Sequence, residues 1–320
     1  MVSRVSVMWK CPGRSPISIT CPKRPLLECT VRPFRPKSDP GAPHSGVRVP
    51  NQCFRKRRMS YESIELQVED GLARVVLNQP DLGNPFNEAF CREWAEVANE
   101  LSDRNDVRAV LISGKGKFFS VGGDIAMFAR NLDVLPARIK QWTVGLHMGV
   151  ARFARLDAPI VAAVHATAMG GAVGMVAGCD LVYAARSASF GSAYSSIGYS
   201  VDAGSSFTLS SRMGLARARR FVLCAEMLKA EEAAAVGLVD FVVDDETLLA
   251  EAEKMARRLA QGPTRAYGEI RKLFGNAMAR PFEAQLEDEA QSLARMGGTA
   301  DAREGIMSFV EKRKPVFRGK

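Results

Sequence analysis

Two pairs of glycines carry the clearest chemical signal in this 320-residue chain. Gly122-Gly123 follows Phe118-Phe119-Ser120-Val121, and Gly170-Gly171 follows Ile160-Val161-Ala162-Ala163-Val164 and a run of small residues. In each case an apolar run reads as a buried strand and the residues after the glycines have helical character. A strand that passes through glycines into a helix presents backbone N–H groups with no intrahelical acceptor. The same end of the helix attracts developing negative charge. Such a turn binds phosphate in some proteins and a carbonyl oxyanion in others. It also serves close packing of a helix on a strand, for which the missing Cβ of glycine is enough. Asp124, directly after the first pair, is placed to cap the helix that follows.

The elements that must position these turns alternate along the chain. Residues 61–68 alternate in polarity, Glu69-Asp70-Gly71 turns, and residues 72–77 form a second strand, a hairpin signature. A loop over 79–85 leads to an amphipathic helix over 86–101, with Phe90, Trp94, Val97 and Leu101 on one face. Strands are expected over 107–113, 159–164, 179–185 and 239–243. A loop and long helix are expected over 126–157, and a helix over 205–213. Helices over 246–261, 264–278, 282–295 and 300–312 finish the chain. Strands alternating with helices, followed by a helix-rich end, indicate an α/β domain with a helical appendage.

The net charge of +9 suggests nucleic acid at first sight, but its location argues otherwise. Residues 1–58 hold thirteen Lys and Arg against only Glu28 and Asp39, so the remainder is close to neutral. The same segment holds nine of the sixteen prolines and Cys11, Cys21, Cys29 and Cys53, and shows no hydrophobic period. It is expected to be a disordered basic extension over 1–58. Met59 serves well as the true start, and on the preferred reading residues 1–58 are not part of the natural protein. An organelle-targeting peptide and a nucleic-acid-binding arm compete with it. Cys91, Cys179 and Cys224 are scattered with no CxxC and no histidine at ligand spacing, so reduced thiols and no metal site are expected. No apolar run reaches about 18 residues, so no transmembrane helix is expected.

With both glycine turns in place, the chain resembles the crotonase superfamily, the enoyl-CoA hydratase/isomerase proteins, from residue 61 to about 317. Phe119-Ser120-Val121-Gly122-Gly123-Asp124-Ile125 resembles the family's F-S-A-G-x-D-I turn. Ala162-Ala163-Val164-His165-Ala166-Thr167-Ala168-Met169-Gly170-Gly171 resembles A-A-V-N-G-x-A-x-G-G. Cys179-Asp180-Leu181-Val182-Tyr183-Ala184, Ala234-Ala235-Val236-Gly237-Leu238-Val239 and the closing 309–317 segment resemble three further family segments in order. The resemblance implies an α/β crotonase-like spiral of ββα units as the core over 59–260. A C-terminal helical oligomerisation region over 261–320 would build a homotrimer or a dimer of trimers. It implies CoA thioester substrates, with the amides of Gly123 and Gly171 as the oxyanion hole and Gly122 and Gly170 beside them at the substrate. Two fixed donors aimed at a thioester oxygen suit enolate chemistry, because charge builds on that oxygen in the transition state. Asn84-Pro85-Phe86 occupies the family's N-A-L position near the CoA adenine, which marks Asn84 and Phe86 as substrate-binding candidates.

The sequence departs from the family's water-adding members. Where those carry two glutamates, this chain has Gly174 and Tyr194. Tyr194 can pack against a cyclic acyl group or plug the pocket. The carboxylate that remains is Asp202, at a position where some family isomerases and aryl-CoA dehalogenases carry a catalytic aspartate. It suits a proton shuttle or a nucleophile, or an N-cap for the helix beginning near Gly204. His147 lies at the spacing at which the dehalogenases carry a functional histidine, although a helical His beside Leu146 and Val150 is more often a packed or half-exposed residue. His165, at the usual asparagine position, is expected to make a structural hydrogen bond.

These features predict an acyl-CoA enzyme that stabilises a thioester enolate, a double-bond or ring isomerase with Asp202 as acid/base. CoA enters as part of the substrate and no separate cofactor is expected. Neither nucleic acid nor membrane is an expected partner, and the cytoplasm is the expected compartment. The competing readings are a hydratase-like, hydrolytic or dehalogenase-like enzyme using Asp202 with His147, and a CoA-binding protein without catalysis.

Overall fold

The structure, a computed structural model, describes residues 61–320. The expected extension over 1–58 lies outside the described residues. The chain begins with the antiparallel hairpin β1 (Ile64–Glu69) and β2 (Leu72–Leu77). The two-residue β3 (Pro85–Phe86) leads into α1 (Glu88–Ser102). Next come β4 (Ala109–Gly114), β5 (Gly122–Gly123), α2 (Ile125–Ala129) and α3 (Leu135–Phe153). Then follow β6 (Ile160–Val164), β7 (Ala168–Met169) and α4 (Gly171–Ala177). The last such unit is β8 (Leu181–Ala185), β9 (Ser189–Gly191) and α5 (Ser205–Met213). After it come α6 (Leu215–Leu223), β10 (Met227–Lys229), α7 (Ala230–Ala235) and β11 (Phe241–Val243). Four helices close the chain: α8 (Leu248–Ala260), α9 (Thr264–Ala277), α10 (Phe282–Gly297) and α11 (Ala300–Val310).

The repeat is a long strand, a short strand and a helix. The long strands form one six-stranded sheet in the order β1-β2-β4-β6-β8-β11, parallel from β2 onward. The short strands make a second layer, β10-β9-β7 and β3-β5. All five residues of β6 are buried, as a central parallel strand covered on both faces requires. This is the α/β spiral expected from the sequence.

Helix α3 lies unusually close to α1. A Cβ on Gly145 would meet the carbonyl oxygen of Cys91 at 2.4 Å, and one on Gly149 would meet the Trp94 ring at 2.4 Å. Two glycines four residues apart thus clear one stripe of α3 for its neighbour. Phe86, Phe90, Trp94 and Phe153 stack in sequence along this contact, with centroids 4.4, 5.5 and 4.3 Å apart.

Most element ends shift by one to three residues from expectation, and three differences have a visible cause or change an element. The strand expected from residue 179 starts at Leu181, because Asp180 turns its carboxylate to the Ile160 amide at 2.7 Å. The strand expected from 239 starts at Phe241, since the amides of Leu238 and Val239 both return to the Ala233 carbonyl. Residues 126–157 divide into the short α2 and the 19-residue α3. Among the described residues, no helix is long and apolar enough to cross a membrane.

Candidate active site

The two glycine turns meet. Gly122 adopts φ +76°, and a Cβ there would sit 2.5 Å from the Met169 carbonyl oxygen. No side chain fits between these backbones, so glycine at 122 permits both the conformation and the approach. The Met169 amide donates to the Ser120 carbonyl at 2.9 Å, and the Gly170 amide to the Gly191 carbonyl at 2.9 Å. The first bond ties the segment just before β5 to β7, and the second ties the end of β7 to β9. They leave Gly171 as the first residue of α4, where helix amides have no intrahelical acceptor. Asp124 accepts the Met127 amide at 2.7 Å and caps α2, as its position suggests.

A cavity of about 220 Å³ opens onto these turns. Gly123, Gly170 and Gly171 form one side, and Phe86, Phe128, Trp142, Tyr194 and Tyr199 supply aromatic walls. The Phe128 and Trp142 rings lie parallel within 2° at 6.0 Å. Asp202 is the sole carboxylate lining this cavity among the described residues. Its Oδ1 lies 3.1 Å from where a Gly171 Cβ would be, as does the Phe86 ring.

Asp202 does not cap α5. Gly204 holds the N-cap position without a side-chain bond, and the Asp202 carboxylate instead accepts the Tyr194 hydroxyl at 2.5 Å. Burial, the Asp202 charge and that bond push the Tyr194 hydroxyl well above its ordinary value, so it stays a neutral donor. Cys91, a neighbour of Asp202 in the cavity wall, has its thiol pushed up to about 12 by burial, with the Asp202 charge adding to it.

The remaining candidates are placed as follows. His147 is exposed on α3, and its Nε2 accepts the Ala203 amide at 3.3 Å. Asn84 accepts the Gln79 amide through Oδ1 at 2.8 Å and donates through Nδ2 to the carbonyls of Lys115, Phe118 and Phe119. Its side chain is therefore committed to holding the loop before β5. His165 Nε2 lies 2.9 Å from the Gly116 carbonyl, a bond within the scaffold. Gly174 faces α5: a Cβ there would meet Ser205 Oγ at 2.0 Å, Cβ at 2.9 Å and Cα at 3.0 Å. Position 174 thus has no room for an acidic side chain.

Cys91, Phe128 and Trp142 were not singled out from sequence as pocket walls. Trp142 and Leu146 were visible as a helical stripe, but that spacing does not separate a core face from a cavity face.

The family profile described as Enoyl-CoA hydratase/isomerase matches residues 67–320. A protein from Escherichia coli named 1,2-epoxyphenylacetyl-CoA isomerase is 36% identical over 262 residues, covering 81% of this chain and 99% of the relative. A Rhodobacter capsulatus protein named "Probable enoyl-CoA hydratase" is 33% identical over 262 residues, covering 82% and 100%. Among solved structures, an enoyl-CoA hydratase from Polaromonas sp. JS666 superposes with a TM-score of 0.75 at 28% identity, covering 80% of this chain and 99% of that one.

Proposed function

The chain belongs to the enoyl-CoA hydratase/isomerase family, and we propose that within it the protein is an acyl-CoA isomerase with Asp202 as its acid/base. The observation that carries this reading is the pairing of one cavity-lining carboxylate with a filled second position. Asp202 faces the Gly171 turn, while Ser205 takes the space at Gly174. Hydration by two carboxylates, one for water and one for the proton, lacks its players.

In the proposed reaction the thioester oxygen accepts hydrogen bonds from the amides of Gly123 and Gly171. The Asp202 carboxylate removes a proton from a carbon flanking the carbonyl, and the electron pair moves onto the thioester oxygen as an enolate. Asp202 then returns the proton to a different carbon of the same conjugated system. Nothing is gained or lost, so no further cofactor enters. Tyr194 donates to Asp202 throughout. The aromatic walls Phe86, Phe128, Trp142 and Tyr199 support a cyclic or aromatic acyl group, because flat rings offer such walls large contact at low conformational cost. The isomerase name of the Escherichia coli relative points the same way.

Self-association into a homotrimer or a dimer of trimers belongs to the same proposal. Phe274, Met278 and Phe282 near the α9–α10 junction and Leu293 and Phe309 beyond it are strongly exposed apolar residues. Contiguous surfaces of that kind mark interaction sites. The free thiols Cys91, Cys179 and Cys224 agree with the cytoplasm as compartment.

The test is a panel of linear enoyl-, dienoyl- and ring-bearing acyl-CoA thioesters in deuterated water, with Asp202→Asn alongside. Positional isomerisation with deuterium entering at the carbon that receives the proton, lost in Asp202→Asn, is expected. Net addition of water, or release of free acid, would overturn the isomerase reading in favour of a hydratase-like or hydrolytic one. Binding without turnover or exchange would favour a non-catalytic CoA-binding protein.

A further inference from the structure

We infer that His147 is a positioning residue, which holds the turn presenting Asp202 through a backbone hydrogen bond and carries no proton itself; this rests on the acid/base reading of Asp202. The turn spans Asp202-Ala203-Gly204-Ser205 and is closed by the Ser205 amide donating to the Asp202 carbonyl at 2.9 Å. Both central residues have positive φ, +50° at Ala203 and +78° at Gly204. That is the signature of a type I′ turn, which favours Gly, Asn or Asp at its centre. Alanine there is in a conformation its Cβ opposes, so surrounding contacts must hold it.

Ala203 is also fully buried. Its amide has no route to water, and a buried donor without an acceptor is costly. The acceptor it finds is His147 Nε2. One helical turn further along α3, Val150 packs on Gly204, at 3.6 Å from the position a Cβ would take there. Residues 147 and 150 thus share the face of α3 that meets the turn. Gly145 and Gly149 lock α3 onto α1, so His147 anchors the turn to the most closely packed part of the scaffold.

In this arrangement the Nε2 of the imidazole is occupied by an amide. Its partner is the residue after Asp202 and not the carboxylate itself. The role needs an acceptor at the end of the side chain and no proton transfer. A glutamine can supply the acceptor; a leucine cannot.

His147→Leu and His147→Gln in the full chain separate the roles. Two quantities are read in each: kcat and KM on whichever thioester the wild type isomerises, and hydrogen exchange of the peptide covering residues 200–206. His147→Leu is expected to lower kcat on the order of 10- to 100-fold, as misplacement of a catalytic group does. KM should hold within about threefold, the thioester contacts being elsewhere. The Ala203 amide should exchange faster. His147→Gln should recover most of both losses. Glutamine as inactive as leucine with the amide still protected would overturn the inference in favour of a proton carrier, and an unaffected leucine variant would overturn it outright. Should the wild type turn over no thioester, the reading of Asp202 fails separately. Amide exchange then decides the anchor alone, and equal exchange in all three proteins removes it.

Discussion

The Tyr194 hydroxyl donates to Asp202 Oδ1 at 2.5 Å, across eight residues of loop. Among the described residues Oδ2 makes no hydrogen bond, so one oxygen of the carboxylate is tied and the other is not. A hydrogen bond to a charged acceptor contributes about 1.5–3 kcal/mol. Tyr194→Phe is therefore expected to lower kcat about 10- to 100-fold, with KM nearly constant. Steady-state kinetics on the active thioester checks it, and a rate equal to wild type would mean that the bond does not serve the reaction.

Gly171→Ala is expected to reduce activity far more than stability. The new methyl would lie 3.1 Å from both Asp202 Oδ1 and the Phe86 ring, so the carboxylate and one cavity wall must shift by a few tenths of an ångström. A loss in kcat of tenfold or more is expected, since geometry near the reacting atoms is steeply priced in rate. Thermal unfolding followed in parallel should show a small change in Tm.

Gly174→Glu restores the residue type of the water-adding members at that position, yet it is expected to yield no hydratase. Its Cβ would collide with the Ser205 backbone as well as its hydroxyl. Overpacking of this kind costs about 1–3 kcal/mol. A lowered Tm with no gain in hydration of enoyl thioesters is the expected result; a fully stable variant that hydrates them would contradict the packing at this position.

The end of the chain should loosen in acid. The Arg313 guanidinium and then the Val316 amide hold the Glu304 carboxyl down to about 2 from its ordinary 4.5. A group depressed on folding stabilises fully above its unfolded pKa, and that contribution fades as pH falls through the folded one. The contact is thus whole above about pH 5 and is lost between 4.5 and 2. Protection of the amides of residues 311–320, measured against their intrinsic exchange rates at each pH, should fall as pH drops through that window, and Glu304→Gln should flatten the dependence.

Much of the fold was legible because it rests on local pattern. The hairpin at 64–77, the buried strand at 160–164 and the helix at 205–213 follow from periodicity and turn residues. The glycine pairs were legible as turns, since a strand running into small residues has few other uses. Asp202 was legible only by position. Its partner was not, because the loop between Tyr194 and Asp202 follows no period, and a hydroxyl eight residues away has no local reason to return. The commitment of the Asn84 side chain to four backbone groups was hidden for a similar reason: three of its acceptors lie more than thirty residues ahead. The conflict between Gly174 and Ser205 is a contact between helices α4 and α5, invisible to any single-segment reading.

That last contact also orders the routes by which the reaction can change. A carboxylate at position 174 is a single codon away in chemistry but not in space, because the Ser205 side chain stands where its Cβ must go, with the Ser205 Cα only 3.0 Å off. The start of α5 would have to retreat first, and that start is tied through Ser205 to the turn carrying Asp202. A lineage that gained the acid would disturb the turn carrying Asp202 in the same step. Laboratory evolution toward water addition should therefore accumulate changes along residues 202–208 before any acid at 174 is tolerated.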